Sequence, residues 1–289
     1  MTAMKKTSTK PQLPSQNSSG FSKKTLVFLE KAGRQKNPNW LENHRADYET
    51  LLLAPLRHLT QTLKDSLGAE APFYHFPIKG IGRLKRPANR VSERGTSLYR
   101  NWMTYSASRP HESRFEHNPN LFFLMNPEDK DDSVLVAGGL YMPSSRQTKA
   151  MRHALAENPA LAAEFSRLFE SKAFSTCFKG GFADEKISTR IPRGFDANHP
   201  RIEWIKLQAF YVWRSYSMKE FESPKFASLV ERDWRQILRL NALLDLAIDN
   251  KALPLNFSKS SVSRRTSKTK SELDDRLEAT KHDLPQHDF

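Results

Sequence analysis

Arg193, Asp196, His199, Glu203 and Lys206 crowd into the run that leads from Ile191 to Lys206. An imidazole exchanges its proton near neutral pH, and a carboxylate beside it can take or return that proton. Arg193 or Lys206 can hold an anionic group in reach of both. Gly194 permits a positive φ or a close backbone approach to a ligand. Pro200 suits the first turn of a helix, and such a helix sets Glu203 and Lys206 three apart on one face. His199 and Glu203 are therefore the candidate catalytic residues, with Arg193 and Lys206 as candidate binding residues. The competing reading is structural: His199 and Asn198 cap the helix while Arg193 and Glu203 pair. Because a turn fixes one end of the loop and a helix start the other, its polar side chains are expected to aim inward.

A second stretch carries charge of one sign. Lys79, Arg83, Lys85, Arg86, Arg90, Arg94, Arg100, Arg109 and Arg114 oppose only Glu93 and Glu112, and Tyr99, Trp102 and Tyr105 are interleaved. Arginines neutralise phosphates and aromatic rings stack on bases, the combination a single-stranded nucleic acid requires. Arg90, Arg94, Arg100 and Tyr105 are the ligand-binding candidates here. Arginine stems also cover apolar surface, and the rings equally suit a core.

Other chemistries find no support. His111 and His117, with Glu112 and Glu116 between them, match no metal-ligand spacing, and arginines flank them. No metal or cofactor is expected. No Gly-x-Ser-x-Gly elbow is present. Cys177, between Phe174 and Phe178, reads as a small buried hydrophobe. Gly180-Gly181 reads as a helix stop, and Gly80 with Gly82 lacks the lysine of a phosphate-cradling loop.

The elements that must position these residues follow from periodicity. Phe21 to Glu30 reads as a short helix. Trp40, His44, Tyr48, Leu51 and Leu52 form a helical stripe that Leu56, Leu59, Leu63 and Leu67 resume, so Pro55 predicts a kink or break. Ser144 with Gln147 predicts a capping box, Asn158-Pro159 a second helix start, and Ser223-Pro224 a third. The third helix holds its apolar period for about seven turns. Asn120 to Met125, Ser133 to Tyr141 and Leu207 to Trp213 read as strands. The short polar link after Met125 predicts an antiparallel pair. The apolar run Leu207 to Trp213 predicts a central strand covered on both faces. The fold class is α+β: one domain over 20–253, with a central, mainly antiparallel sheet packed against several long helices.

Composition bounds the rest. The chain has 289 residues, 38% hydrophobic and 10% aromatic, and 46 Lys and Arg against 32 Asp and Glu give a net charge of +14. No apolar run approaches the roughly 20 residues of a membrane helix, and the N-terminus lacks the apolar core of a secretory signal. One cysteine excludes an intrachain disulfide. A cytoplasmic location without membrane contact follows most simply. Residues 1–19 read as a disordered basic arm, and 254–289 as a disordered tail, basic then acidic.

Ile191-Pro192-Arg193-Gly194-Phe195-Asp196-Ala197-Asn198-His199-Pro200, followed by Glu203-Trp204 and Lys206, resembles the most specific block of a conserved uncharacterised family, domain of unknown function twenty-four sixty-one. That block runs proline, a basic residue, glycine, an aromatic residue, three variable positions, then His-Pro. Gly20-Phe21 with Phe28-Leu29, Asn37 with Trp40, Tyr48 and Pro55, and Gly138 to Tyr141 with Pro143 are similar to the family in the same order. The family usually carries an Arg-Asp-x-Arg-Phe-Ser-x-Asp-Lys-x-Pro-Tyr block. Here Arg90, Arg94, Ser97, Arg100 and Tyr105 keep only loose register with it, without the two aspartates and the proline, so no role transfers. The resemblance implies a single-domain fold and supplies no activity.

Three functions are consistent with these residues. The preferred one is binding of a phosphate-bearing or other anionic ligand, nucleic acid included, through the arginine-rich stretch. The second is an enzyme whose site gathers Arg193, His199, Glu203 and Lys206. The third is a structural or protein-interaction module.

Overall fold

A computed structural model describes residues 20–79, 81–87, 91, 97–110 and 116–249. The expected terminal arms, and Arg90, Arg94, His111, Glu112 and Arg114, lie outside these residues. The helices are α1 (Lys23–Gly33), α2 (Trp40–Asn43), α3 (Arg45–Asp47), α4 (Ala54–Leu67), α5 (Ser145–Glu157), α6 (Pro159–Glu170), α7 (Lys172–Cys177), α8 (Ile202–Lys206), α9 (Met218–Phe221) and α10 (Phe226–Asp249). The strands are β1 (Met103–Ser108), β2 (Asn120–Met125), β3 (Val134–Leu140) and β4 (Phe210–Ser215). The strands form one antiparallel sheet in the order β1-β2-β3-β4, which makes the fold α+β.

The expected break at Pro55 takes a specific form. Tyr48–Leu53 is a π turn, closed by the Ala54 N–H on the Glu49 carbonyl. Pro55 has no N–H to offer the Leu51 carbonyl, as an α-helix would require. The buried Thr25 hydroxyl of α1 donates to that carbonyl instead, at 2.8 Å. One proline thus ties α1 to the start of α4.

Alternation sets the sheet's faces. Leu121, Phe123 and Met125 of β2 are buried while their neighbours are half-buried. Their register partners Tyr105, Val136 and Gly138 share that face. α10 lies across it. Trp234 stacks on Tyr105 with ring centroids 5.7 Å apart, and its Nε1 donates to the Phe122 carbonyl at 3.3 Å. A Cβ on Gly138 would overlap the Ile237 side chain and stand 2.6 Å from the Asn120 carbonyl oxygen. Glycine there lets helix and sheet close together.

The last strand departs from expectation in place and setting. It begins at Phe210 rather than Leu207, and it is an edge strand, not a central one. Its apolar run still has a physical cause. Phe182 packs on Phe210 with centroids 5.8 Å apart, and the Ala183 N–H donates to the Tyr211 carbonyl at 2.9 Å. The chain from Phe182 to Glu185 covers the edge that a further strand would otherwise cover.

Two buried carboxylates on α10 anchor polar networks. Asp233, fully buried, accepts from the Tyr216 hydroxyl at 2.7 Å and from Arg232 at 2.8 Å. Asp245 accepts from Arg109 at 2.6 Å, and Arg109 also reaches Asn118. Burial nevertheless outweighs the Arg109 charge and pushes the Asp245 carboxyl up to about 7.

Candidate functional site

The loop before α8 aims its polar groups inward only in part. Asp196 and Asn198 are exposed, Arg193 is exposed on a cavity wall, and His199 and Phe195 are half-buried, the latter 5.4 Å from the His153 ring. Asp196 closes its own turn by accepting the Asn198 N–H at 2.9 Å. Gly194 has φ +92°, with open space around it, so the glycine serves the turn.

His199 has both ring nitrogens on backbone. Nδ1 accepts the Arg201 N–H at 3.1 Å, which leaves Nε2 to carry the proton and donate to the Ala156 carbonyl at 3.3 Å. Arg201 Nε donates to the Leu155 carbonyl at 2.7 Å. Together they satisfy carbonyls that α5 leaves without partners at its C-terminus. Arg152 of α5 returns the contact, donating to the carbonyls of Ile205 and Leu207 at the end of α8, at 2.9 and 3.2 Å. Each helix therefore caps the other. Glu203 is 68% exposed and pairs with Lys206 at 3.2 Å, not with Arg193. This geometry gives His199 a capping role and leaves Glu203 and Lys206 as a surface pair.

The arginine-rich stretch divides. Tyr99 is fully buried, and its hydroxyl donates to the Pro38 carbonyl at 2.7 Å. Tyr105 is 2% exposed, and burial raises its hydroxyl pKa well above the ordinary value. These two rings belong to the core, so Tyr105 has no face to offer a ligand, against the expectation from its spacing. Arg109 is committed to Asp245. Arg83, Arg86, Arg100 and Trp102 stand apart from this. Lys85 and Tyr99 form an antiparallel bridge that brings the two short segments together. Arg86 and Arg100 lie over the Trp102 ring at 6.0 and 5.1 Å. Arg100 donates to the Arg83 carbonyl at 3.0 Å, while the Nε atoms of Arg86 and Arg100 are buried without partners. Among the described residues no carboxylate pairs with these arginines. Burial first, then the charges of Arg86 and Arg83, lowers the Arg100 pKa.

Arg193 lies elsewhere, on the wall of a cavity of about 420 Å³ whose other wall is α5. No residue of the 83–105 stretch lines it, so the two candidate groups are not joined there. Spacing could have flagged the α5 wall: Lys149, Arg152 and His153 stand at i, i+3 and i+4. Among the described residues no three His, Cys, Asp or Glu side chains gather as metal ligands, and no helix is long and apolar enough to cross a membrane.

No curated protein and no solved structure matches the chain. The model of the family described as conserved hypothetical protein (DUF2461) matches residues 24–242, from α1 into α10. That span contains the mutual caps of α5 and α8, the whole sheet and the arginines around Trp102, and the chain belongs to this family.

Proposed function

We propose that the protein binds a phosphate-bearing or otherwise anionic ligand, single-stranded nucleic acid included, at the arginines gathered around Trp102. The observation that carries this reading is the clustering of Arg83, Arg86 and Arg100 with no carboxylate paired to them among the described residues. Like charges held together without a counter-ion repel, and a bound phosphate relieves that repulsion while releasing its own counterions. A planar ring framed by guanidinium groups also gives a neighbouring base a surface to stack on.

The test compares the full-length protein with a variant carrying Arg83→Glu, Lys85→Glu and Arg86→Glu, binding single-stranded DNA and RNA across a salt titration. Both proteins keep their basic termini, so the difference belongs to this surface. The wild type should lose affinity steeply with salt, and the variant's log–log slope should be shallower by about 2, at roughly 0.7 per single-strand phosphate contact. Identical slopes in the two proteins overturn the reading.

A further inference from the structure

We propose that the cavity between α5 and the Pro192–Phe195 loop is a separate binding site for a small phosphate monoester. It shares no residue with the arginines around Trp102 and does not depend on that reading.

One wall is a single stripe of α5. Ser145, Thr148, Lys149, Arg152 and His153 recur at the spacing of one helix face. Pro192, Arg193 and Phe195 form the facing wall, with Pro143 and Gln208 completing it. The volume of about 420 Å³ suits one small molecule.

The charge in the cavity is of one sign. Lys149, Arg152 and Arg193 line it, and no aspartate or glutamate does. Arg152 keeps its guanidinium fixed through Nε and Nη2 on α8 carbonyls and makes no hydrogen bond through Nη1 among the described residues. It is half-buried and lacks a carboxylate partner among the described residues, and burial lowers its pKa. A guanidinium locked in place loses little freedom when an anion arrives. His153 gives its Nδ1 to Glu157 at 2.6 Å, outside the cavity lining.

The polar groups around these cations are uncommitted. The side chains of Ser145, Thr148, Lys149, Arg193 and Gln208 make no hydrogen bond or ion pair within the described structure, and every one of them faces the same space. Three fixed or flexible cations with hydroxyl and amide donors match the two charges and three terminal oxygens of a phosphate monoester better than the single charge of a carboxylate. The organic part has its own wall. Pro143, Pro192 and Phe195 are apolar, and the His153 ring, also on the cavity wall, lies 5.4 Å from the Phe195 ring.

Calorimetric titration of the full-length protein with phenyl phosphate, and separately with inorganic phosphate, tests this site. Phenyl phosphate should bind saturably and more tightly than inorganic phosphate. Lys149→Ala with Arg193→Ala removes two exposed side chains that support no packing, so the melt should be unchanged while affinity falls by about tenfold or more. The Arg83→Glu, Lys85→Glu, Arg86→Glu variant should bind phenyl phosphate as the wild type does. Absence of saturable binding, or indifference to the Lys149 and Arg193 changes, overturns the proposal. Equal affinity for the two phosphates overturns the ester assignment. Loss of binding in the Arg83 variant alone assigns the phosphate to the Trp102 surface instead.

Discussion

Both nitrogens of the His199 ring end on backbone groups, and this decides what the residue contributes. Replacing it with alanine removes the acceptor for the Arg201 N–H and the donor to the Ala156 carbonyl. His199→Ala should cost about 1–2 kcal/mol of stability, read by chemical denaturation. A variant as stable as the wild type would show the ring to be idle. Asp245 makes a different prediction at the same scale. Its carboxyl sits at about 7 in the folded protein, above the ordinary value of about 3.9 in an unfolded chain. The folded state therefore binds the extra proton between those values, so this group's contribution is full below about pH 4 and is lost as pH rises through 7. Thermal melts of the wild type and Asp245→Asn should diverge over that window, with the wild type losing ground as pH rises. Parallel curves would refute it. The two residues differ in how legible they were. His199 before Pro200 announced a helix start nearby, and its bond from the Arg201 N–H is local, but α8 begins only at Ile202 and the Ala156 carbonyl that the ring caps lies 43 positions away on α5. The aspartate at 245 sits among apolar residues on a long helix, and only the partner Arg109, 136 positions away, explains it. Tyr105 misled for the same reason: alternation with arginines looked like a stacking surface, and burial against Trp234 was not local information.

Among the elements, the local signals at helix starts were the most legible. The Ser144–Gln147 capping box and the Asn158 cap form as their spacing implies, with bonds of 3.0–3.1 Å. Caps are contacts three residues apart, so sequence contains both partners. The β2–β3 hairpin was legible for a similar reason, its short link forcing antiparallel pairing. β1 was missed because its Met103, Tyr105 and Ala107 alternate with small polar residues inside a basic stretch, and charge drew the reading away from pattern. The π turn before Pro55 shows how far a local signal reaches. Proline foretold a break, but the hydroxyl that satisfies the stranded Leu51 carbonyl comes from Thr25 on another helix. Thr25→Val keeps the shape and deletes both that donor and the acceptor of the Ser22 N–H, at a cost of about 1–3 kcal/mol. Thr25→Ser should recover most of the loss in the same denaturation experiment. Equal stability of the valine and serine variants would place the carbonyl's partner elsewhere.

Across the whole molecule, α10 is the element that the others share. It packs on β2 and β3, on α4, and on α5, α6 and α7. Arg235 joins it to Glu70 beyond α4 through a bidentate pair at 2.7–2.8 Å. With a single helix touching both the sheet and the helices on either side of it in sequence, unfolding should be one event. Tryptophan fluorescence and far-UV circular dichroism should give coincident denaturation curves. Separate midpoints would mean that the sheet and the α5–α8 region open independently. The closeness of α10 to the sheet rests on Gly138, where a methyl group would push Ile237 away. Gly138→Ala should therefore lower stability by about 1–3 kcal/mol through overpacking, and should shift both spectroscopic curves together.

Cys177 closes α7 as a buried residue, 5% exposed, and burial, then the nearby Asp233, pushes its thiol up to about 12. It is the only sulfhydryl in the chain. At neutral pH it is un-ionised and almost fully buried, so the native protein should react slowly with thiol-directed reagents. A cysteine installed at an exposed position such as Lys85 or Lys149 would be the molecule's most reactive sulfur. A fluorophore or spin label attached there would report from the rim of one binding surface or the other, with little background from the native residue.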